Sequence, residues 1–283
     1  MSGDDDQYFS LGWVFISYFM VCGGMVVAVA ALVVFSPERA FATATGPYLA
    51  CGIGGLVGGF FAGRVSRRFS VMLPAIAGAL VIGSVFLLIK YTAIGPIVFA
   101  FAEPRLVRES LILGGLSAAG GLTGAIVGRM TVSDGPPAGT LRWLAPGAFL
   151  TYGALLATTI ATHILLLDHS LRDPDLMRRM FEGGALVAEE DLSTAFLVAV
   201  VGAGFIGGLV TQLAAGRRML SICGGGVFLS ITGGLLGLMA LVGPLDADGV
   251  VGAVVLGGCA TMLGLVGAVL GWLYLRWFGP GTS

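Results

Sequence analysis

The sequence predicts an all-α polytopic membrane protein of about eight transmembrane helices, arranged as two four-helix repeats of parallel topology. Three observations carry this expectation: apolar runs long enough to cross a bilayer, tight turns rich in arginine, and two ordered matches between the halves of the chain. Composition agrees, since 57% of the 283 residues are hydrophobic and only 11% charged. Lipid rather than water is the implied solvent for most of the chain.

The first apolar run, Leu11 to Val34, follows Asp4, Asp5 and Asp6 with no Lys or Arg before it. It is long for a signal peptide and reads as a retained span. The second, Pro47 to Gly63, closes on Arg64, Arg67 and Arg68, and the third runs from Val71 to Ile89. Ile94 to Ala102 is too short to span and reads as a re-entrant or interfacial piece, or as an extension of the third span.

The fourth and fifth runs are Leu111 to Val127 and Leu144 to Leu167. Between the fifth and sixth, Asp173-Pro174 caps a short helix that ends at Gly183-Gly184. Leu176, Met177, Met180 and Phe181 share one of its faces, which suits a helix lying on the membrane surface. The sixth run, Thr194 to Ala214, closes on Arg217 and Arg218; Leu220 to Val242 and Val250 to Trp277 complete the set. All eight are expected to be helices, because an unclosed strand in lipid leaves its backbone groups unsatisfied.

The arginine-rich turns after the second and sixth spans belong on the cytoplasmic side, and an even number of spans then puts both termini there, in a plasma (inner) membrane. Helix dipoles point the same way. Glu189, Glu190 and Asp191 precede the sixth span at its positive end, and Arg217 and Arg218 follow its negative end.

Leu113 to Gly128 (LGGLSAAGGLTGAIVG) matches Leu256 to Gly271 (LGGCATMLGLVGAVLG) at eight of sixteen positions without a gap. Gly52 to Arg68 pairs with Gly202 to Arg218, each ending in an arginine pair. Residues 1–142 and 143–283 are therefore expected to be a duplicated unit. Each unit has an even number of spans, so the two should share one orientation and be related by an axis along the membrane normal.

Many of the 47 glycines recur at four-residue spacing. Gly55, Gly59, Gly120, Gly124, Gly128, Gly204, Gly208, Gly267 and Gly271 are the expected helix-packing positions, since small residues let backbones approach where no hydrophobic drive exists between helices. Gly202, Gly204 and Gly207 satisfy the spacing of a dinucleotide-binding turn. The acidic residue expected about 20 positions later is missing, however, and the motif sits in an apolar span. No cofactor is expected.

Cys22, Cys51, Cys223 and Cys259 all lie in apolar runs without the spacing of a metal knuckle or a redox pair, and read as small buried thiols. No metal is expected. Neither is nucleic acid, because the net charge is −1 with no basic footprint. There is no P-loop.

Apart from Arg276 at the very end of the eighth, no Asp, Glu, Lys or Arg falls inside the apolar runs, which argues against an ion-coupled pump. Among the polar residues that do fall there, Thr151, Tyr152, Thr158, Thr162, His163, Thr211 and Gln212 form a candidate polar path. Ser117 and His163 would lie at similar depth, so a serine hydrolase within the membrane is conceivable. A rhomboid-type protease would carry a GxSG-like turn, however, and this sequence reads GLSAAGG.

The expected function is therefore non-enzymatic: a passive conduit for a small neutral or weakly polar solute between the two repeats, or alternatively a scaffold or accessory subunit of a larger membrane complex. Beside the bilayer, the expected partners are a second copy of the chain or other membrane subunits.

Overall fold

The computed structural model describes residues 11–35, 45–65, 70–91, 106–131, 143–165, 189–215, 219–242 and 247–278. Among them are eight helices and no strand: α1 (Leu11–Phe35), α2 (Thr45–Val65), α3 (Met72–Tyr91), α4 (Leu106–Met130), α5 (Leu144–Leu165), α6 (Glu189–Ala215), α7 (Leu220–Val242) and α8 (Ala247–Phe278). Seven are long and apolar enough to cross a membrane, while the apolar stretch of α3, Met72–Leu87, is shorter. The expected surface helix from Asp173 to Gly184, the segment Ile94 to Ala102, the aspartates before Leu11, and the arginines Arg67, Arg68, Arg217 and Arg218 lie outside the described residues.

The helix ends follow backbone chemistry. Pro47, Pro74 and Pro146 each fall in a first helical turn, where the missing N–H has no intrahelical partner to lose. Ser70 precedes α3 and caps it, its Oγ accepting the Met72 N–H at 3.2 Å. Glu109 and Asp248 occupy first turns, and Arg64, Lys90, Arg129 and Arg276 last turns, each charge complementing the helix dipole. Arg64, Lys90 and Arg276 reach back over aromatic rings one turn earlier, at 5.9 Å for Phe60, 5.6 Å for Phe86 and 5.6 Å for Trp272.

Backbone approaches give the helix directions. Gly24 meets Gly54 while Gly58 meets Met20 and Val21, so α1 and α2 run antiparallel. Gly55, Gly59 and Gly63 meet Ser117, Gly121 and Ala125 in order, so α2 and α4 run parallel. Gly78 meets Ser117 while Gly121 meets Pro74, which makes α3 antiparallel to α4. Because α2 and α4 run the same way, the chain between them must return along the bundle, and α3 is the helix that runs in the returning direction.

The last four helices repeat these relations. Gly204 and Gly208 meet Ala260 and Gly264, so α6 and α8 are parallel; Gly207 meets Thr151 while Gly202 meets Thr158, so α5 and α6 are antiparallel. Pairs α1–α2, α2–α4, α3–α4 and α1–α3 thus have counterparts in α5–α6, α6–α8, α7–α8 and α5–α7. These approaches put Gly59 in the place of Gly208, one residue away from the register in which Gly52 pairs with Gly202. The glycine pattern at α2 and α6 reads GLVGG and GFIGG in the structural register, which sequence identity around the arginines alone does not select.

Between the halves stands one principal seam, α1 against α5. Here Gly23 lies against the carbonyl of Phe149, and Gly153 lies reciprocally against the carbonyl of Phe19. Met20, Val21, Leu150 and Thr151 are fully buried beside this contact, and the Phe61 and Phe149 rings pack at 4.8 Å.

Candidate functional site

Three of the seven polar residues singled out from the sequence, Thr151, Thr158 and Thr211, come together, on the seam between α5 and α6 rather than between the halves. Thr151 is buried against Gly207, and its hydroxyl donates to the Gly147 carbonyl at 2.9 Å. The Thr158 hydroxyl lies 2.9 Å from the carbonyl of Ala154 on its own helix and 2.9 Å from that of Ala199 on α6. Thr162 is buried and donates to the Thr159 carbonyl at 3.0 Å. The Thr211 methyl faces Gly147, and its buried hydroxyl has no hydrogen-bond partner.

Gln212 is fully buried and turns toward α8 and α7 instead, its side chain close to Gly271 and its Oε1 accepting the Met219 N–H at 3.1 Å at the start of α7. Tyr152 points away from the row, its ring lying against Gly234 of α7. The side chain of His163 lies outside the described residues. Hydroxyls on helices discharge their donors onto carbonyls of the preceding turn, so most of this stripe is internally satisfied.

Ser117 is fully buried on α4, its Oγ without a hydrogen-bond partner. Its backbone carbonyl adjoins Gly55 of α2 and Gly78 of α3, so it faces those helices rather than α5.

A methyl group on any of Gly55, Gly59, Gly120, Gly124 or Gly128 would overlap or crowd backbone of the facing helix across the α2–α4 seam. The same holds for Gly204, Gly208 and Gly267 across α6–α8, while Gly271 lies 3.1 Å from the Leu209 carbonyl by the same measure. Gly202, Gly204 and Gly207 are all helical within α6. Three cysteines are buried, but Cys259 is exposed, because it lies on the outward side of α8 with Val255 and Met262.

Further polar features lie both at helix ends and within the spans. Helix α4 extends past its apolar run at both ends, which brings Arg108, Glu109 and Arg129 into the helix. Glu109 is buried, and its Oε2 accepts the Tyr48 hydroxyl of α2. Tyr18 of α1 and Ser84 of α3 share a second hydroxyl contact. A helix continues as long as its backbone bonds are made, whereas the apolar run stops at the first charge, and this difference hid Glu109. Among the described residues no group of His, Cys, Asp and Glu could hold a metal ion.

A bundle of apolar helices with lipid-facing Leu, Val and Phe side chains and hydroxyls turned onto its own backbone defines a polytopic, membrane-embedded helical protein. No protein-family model, no curated protein and no solved structure matches the chain.

Proposed function

We propose that this protein is a non-enzymatic subunit of a membrane assembly, acting by docking transmembrane helices of another copy or another protein. The observation that carries the reading is the outward face of α7. Gly233 and Gly237, one turn apart, are exposed with nothing within 4 Å, and Leu229 beside them is exposed as well. Elsewhere in the bundle glycines at this spacing admit a neighbouring backbone, and on α7 the same spacing faces outward. Native mass spectrometry of the protein gently extracted from its own membrane tests this. The double variant Gly233→Leu/Gly237→Leu is expected to lose a stoichiometric partner or second copy that the parent protein carries; a parent recovered alone as a monomer sinks the reading.

A second reading is a facilitator of a small, weakly polar solute, favoured by the buried hydroxyls of Thr151, Thr158 and Thr211 on the α5–α6 seam. The reciprocal contact of Gly23 and Gly153 with the facing carbonyls leaves no opening between the halves at that level, so such a path belongs to α5–α6. Solute flux into proteoliposomes that falls on Thr158→Val would favour it over docking.

Three structural readings accompany the proposal. All eight helices cross the membrane, supported by the alternation of direction through α3. The chain is an ancient duplication of residues 1–142 and 143–283 about an axis along the membrane normal, supported by the recurring neighbour relations and by the reciprocal Gly23 and Gly153 contacts. The termini lie in the cytoplasm, supported by Arg64, Arg129 and Arg276 at one end of the bundle against Lys90 and Arg108 at the other.

A further inference from the structure

The two halves follow one plan through the first turns of α3 and α7 and then diverge. The helix starts are equivalent, since the Ser70 carbonyl accepts the Leu73 N–H as the Met219 carbonyl accepts that of Ile222. From there burial runs in step. Ala77, Gly78 and Val81 are buried in α3 as Gly226, Val227 and Ser230 are in α7, and Leu80 and Leu229 are both exposed. The next turn breaks the match: Ser84 and Val85 are buried, whereas Gly233, in the place of Ser84, is exposed and Gly234 is half-buried.

The difference lies in what covers each helix. Ile160 of α5 is buried in one cluster with Val81 and Val85 of α3, with Leu156 and Ile164 packed against it, and the Tyr18 hydroxyl of α1 meets Ser84. The third helix of the first half is thus covered by the first helix of the second half. The reciprocal contact would set α1 on α7, but among the described residues α7 packs on α8, α5 and α6. Helix α1 shows the matching loss. Trp13, Gly23 and Ala28 equal Trp143, Gly153 and Thr158 in burial class, yet Ala30 is exposed where Ile160 is buried. Ala148 stands in the place of Tyr18 and carries no hydroxyl to reach across. One place in the duplicated plan, over Gly233 of α7 and toward Ala30 of α1, is therefore left open, and its counterpart holds a transmembrane helix.

The way α1 meets α5 indicates which helix fits there. These two helices begin at the same end, where Trp13 and Trp143 join one cluster with Ala62 and Ala214. Gly23 lies against the Phe149 carbonyl and Gly153 against that of Phe19, so each helix offers a large residue and, four positions on, a glycine that meets the carbonyl of the other. Helix α7 carries the same arrangement outward, with exposed Leu229 followed by Gly233 and, one turn further, Gly237. Two copies inserted in the same sense are related by an axis along the membrane normal, so their α7 helices run parallel as α1 and α5 do, and such an interface requires one self-complementary patch.

We propose that the open place seats a second copy of this chain, with the two α7 helices paired so that Gly233 of each faces the Leu229 carbonyl of the other. The proposal rests on the docking and duplication readings above and commits the docking to a homodimer.

The experiment uses the full chain in its own membrane, with exposed Cys259 replaced by alanine. One new cysteine is added at a time, Leu229→Cys or Gly237→Cys on α7, with Met262→Cys on the outward side of α8 as the control, and a mild oxidant is applied. Disulfide-linked dimers are expected from both α7 positions and not from Met262→Cys. Adding Gly233→Leu to Leu229→Cys should lower the yield about tenfold or more, because a large side chain at a close contact holds the backbones apart. No dimer from either α7 position, equal yields from Met262→Cys, or undiminished yield with Gly233→Leu overturns the proposal. Native mass spectrometry separates its failure from that of the docking reading. A different protein retained by the parent and lost from Gly233→Leu/Gly237→Leu removes the second copy alone, whereas a lone monomer removes both.

Discussion

At the residue scale, the consequence of a glycine depends on what faces it rather than on its spacing. Gly124 and Gly115 share α4, yet a side chain on Gly124 would run into the Leu56 carbonyl, whereas nothing lies within 4 Å of one on Gly115. Gly267 and Gly252 make the same contrast on α8, with Gly267 against the Phe205 carbonyl. The double variant Gly124→Leu/Gly267→Leu is therefore expected to lower the melting temperature in detergent sharply, since overpacking costs about 1–3 kcal/mol per site even where side chains rather than backbone give way. Gly115→Leu/Gly252→Leu should melt like the parent. Equal melting of the two pairs would remove the packing account. Hydroxyls are graded in the same way: Thr158→Val removes a bond to Ala199 across the seam and should cost about 0.6 kcal/mol, whereas Thr162→Val, whose bond stays within its own helix, should cost less.

At the element scale, polar ties hold the helix ends while small residues set the spacing along their length. The Tyr48 hydroxyl of α2 donates to the buried Glu109 carboxylate of α4, at the end where both helices begin. Removing the donor leaves a carboxylate with less compensation in a poorly solvated site. Tyr48→Phe is accordingly expected to destabilise the protein by about 1–3 kcal/mol in unfolding titrations, and Tyr48→Phe combined with Glu109→Gln by less than that. A single variant indistinguishable from the parent would show that the tie contributes nothing. The sequence revealed which segments are helices because a long apolar run is a sufficient signal in lipid. It hid Glu109 and Arg129, which belong to α4 but lie past the ends of its apolar run.

At the scale of the whole molecule, the two halves meet chiefly through α1 and α5, and the alternating helix directions place Met130 and Phe35, both highly exposed, at opposite ends of the bundle. With exposed Cys259 replaced by alanine, a membrane-impermeant maleimide is expected to label Met130→Cys only from the cytoplasmic side and Phe35→Cys only from the other. The reverse pattern would invert the proposed orientation, and labelling of both from one side would break the alternation. By itself the sequence determined that this chain lives in lipid as a bundle of helices, because transfer of long apolar runs and the demand for satisfied backbone groups are properties of single segments. Only the tertiary structure decided which glycines meet backbone and which face outward, and that Thr151, Thr158 and Thr211 meet on the α5–α6 seam. Each of these depends on how one helix is rotated about its axis against another. That rotation is chosen by packing between segments distant in the chain, and no pattern within a single span records it.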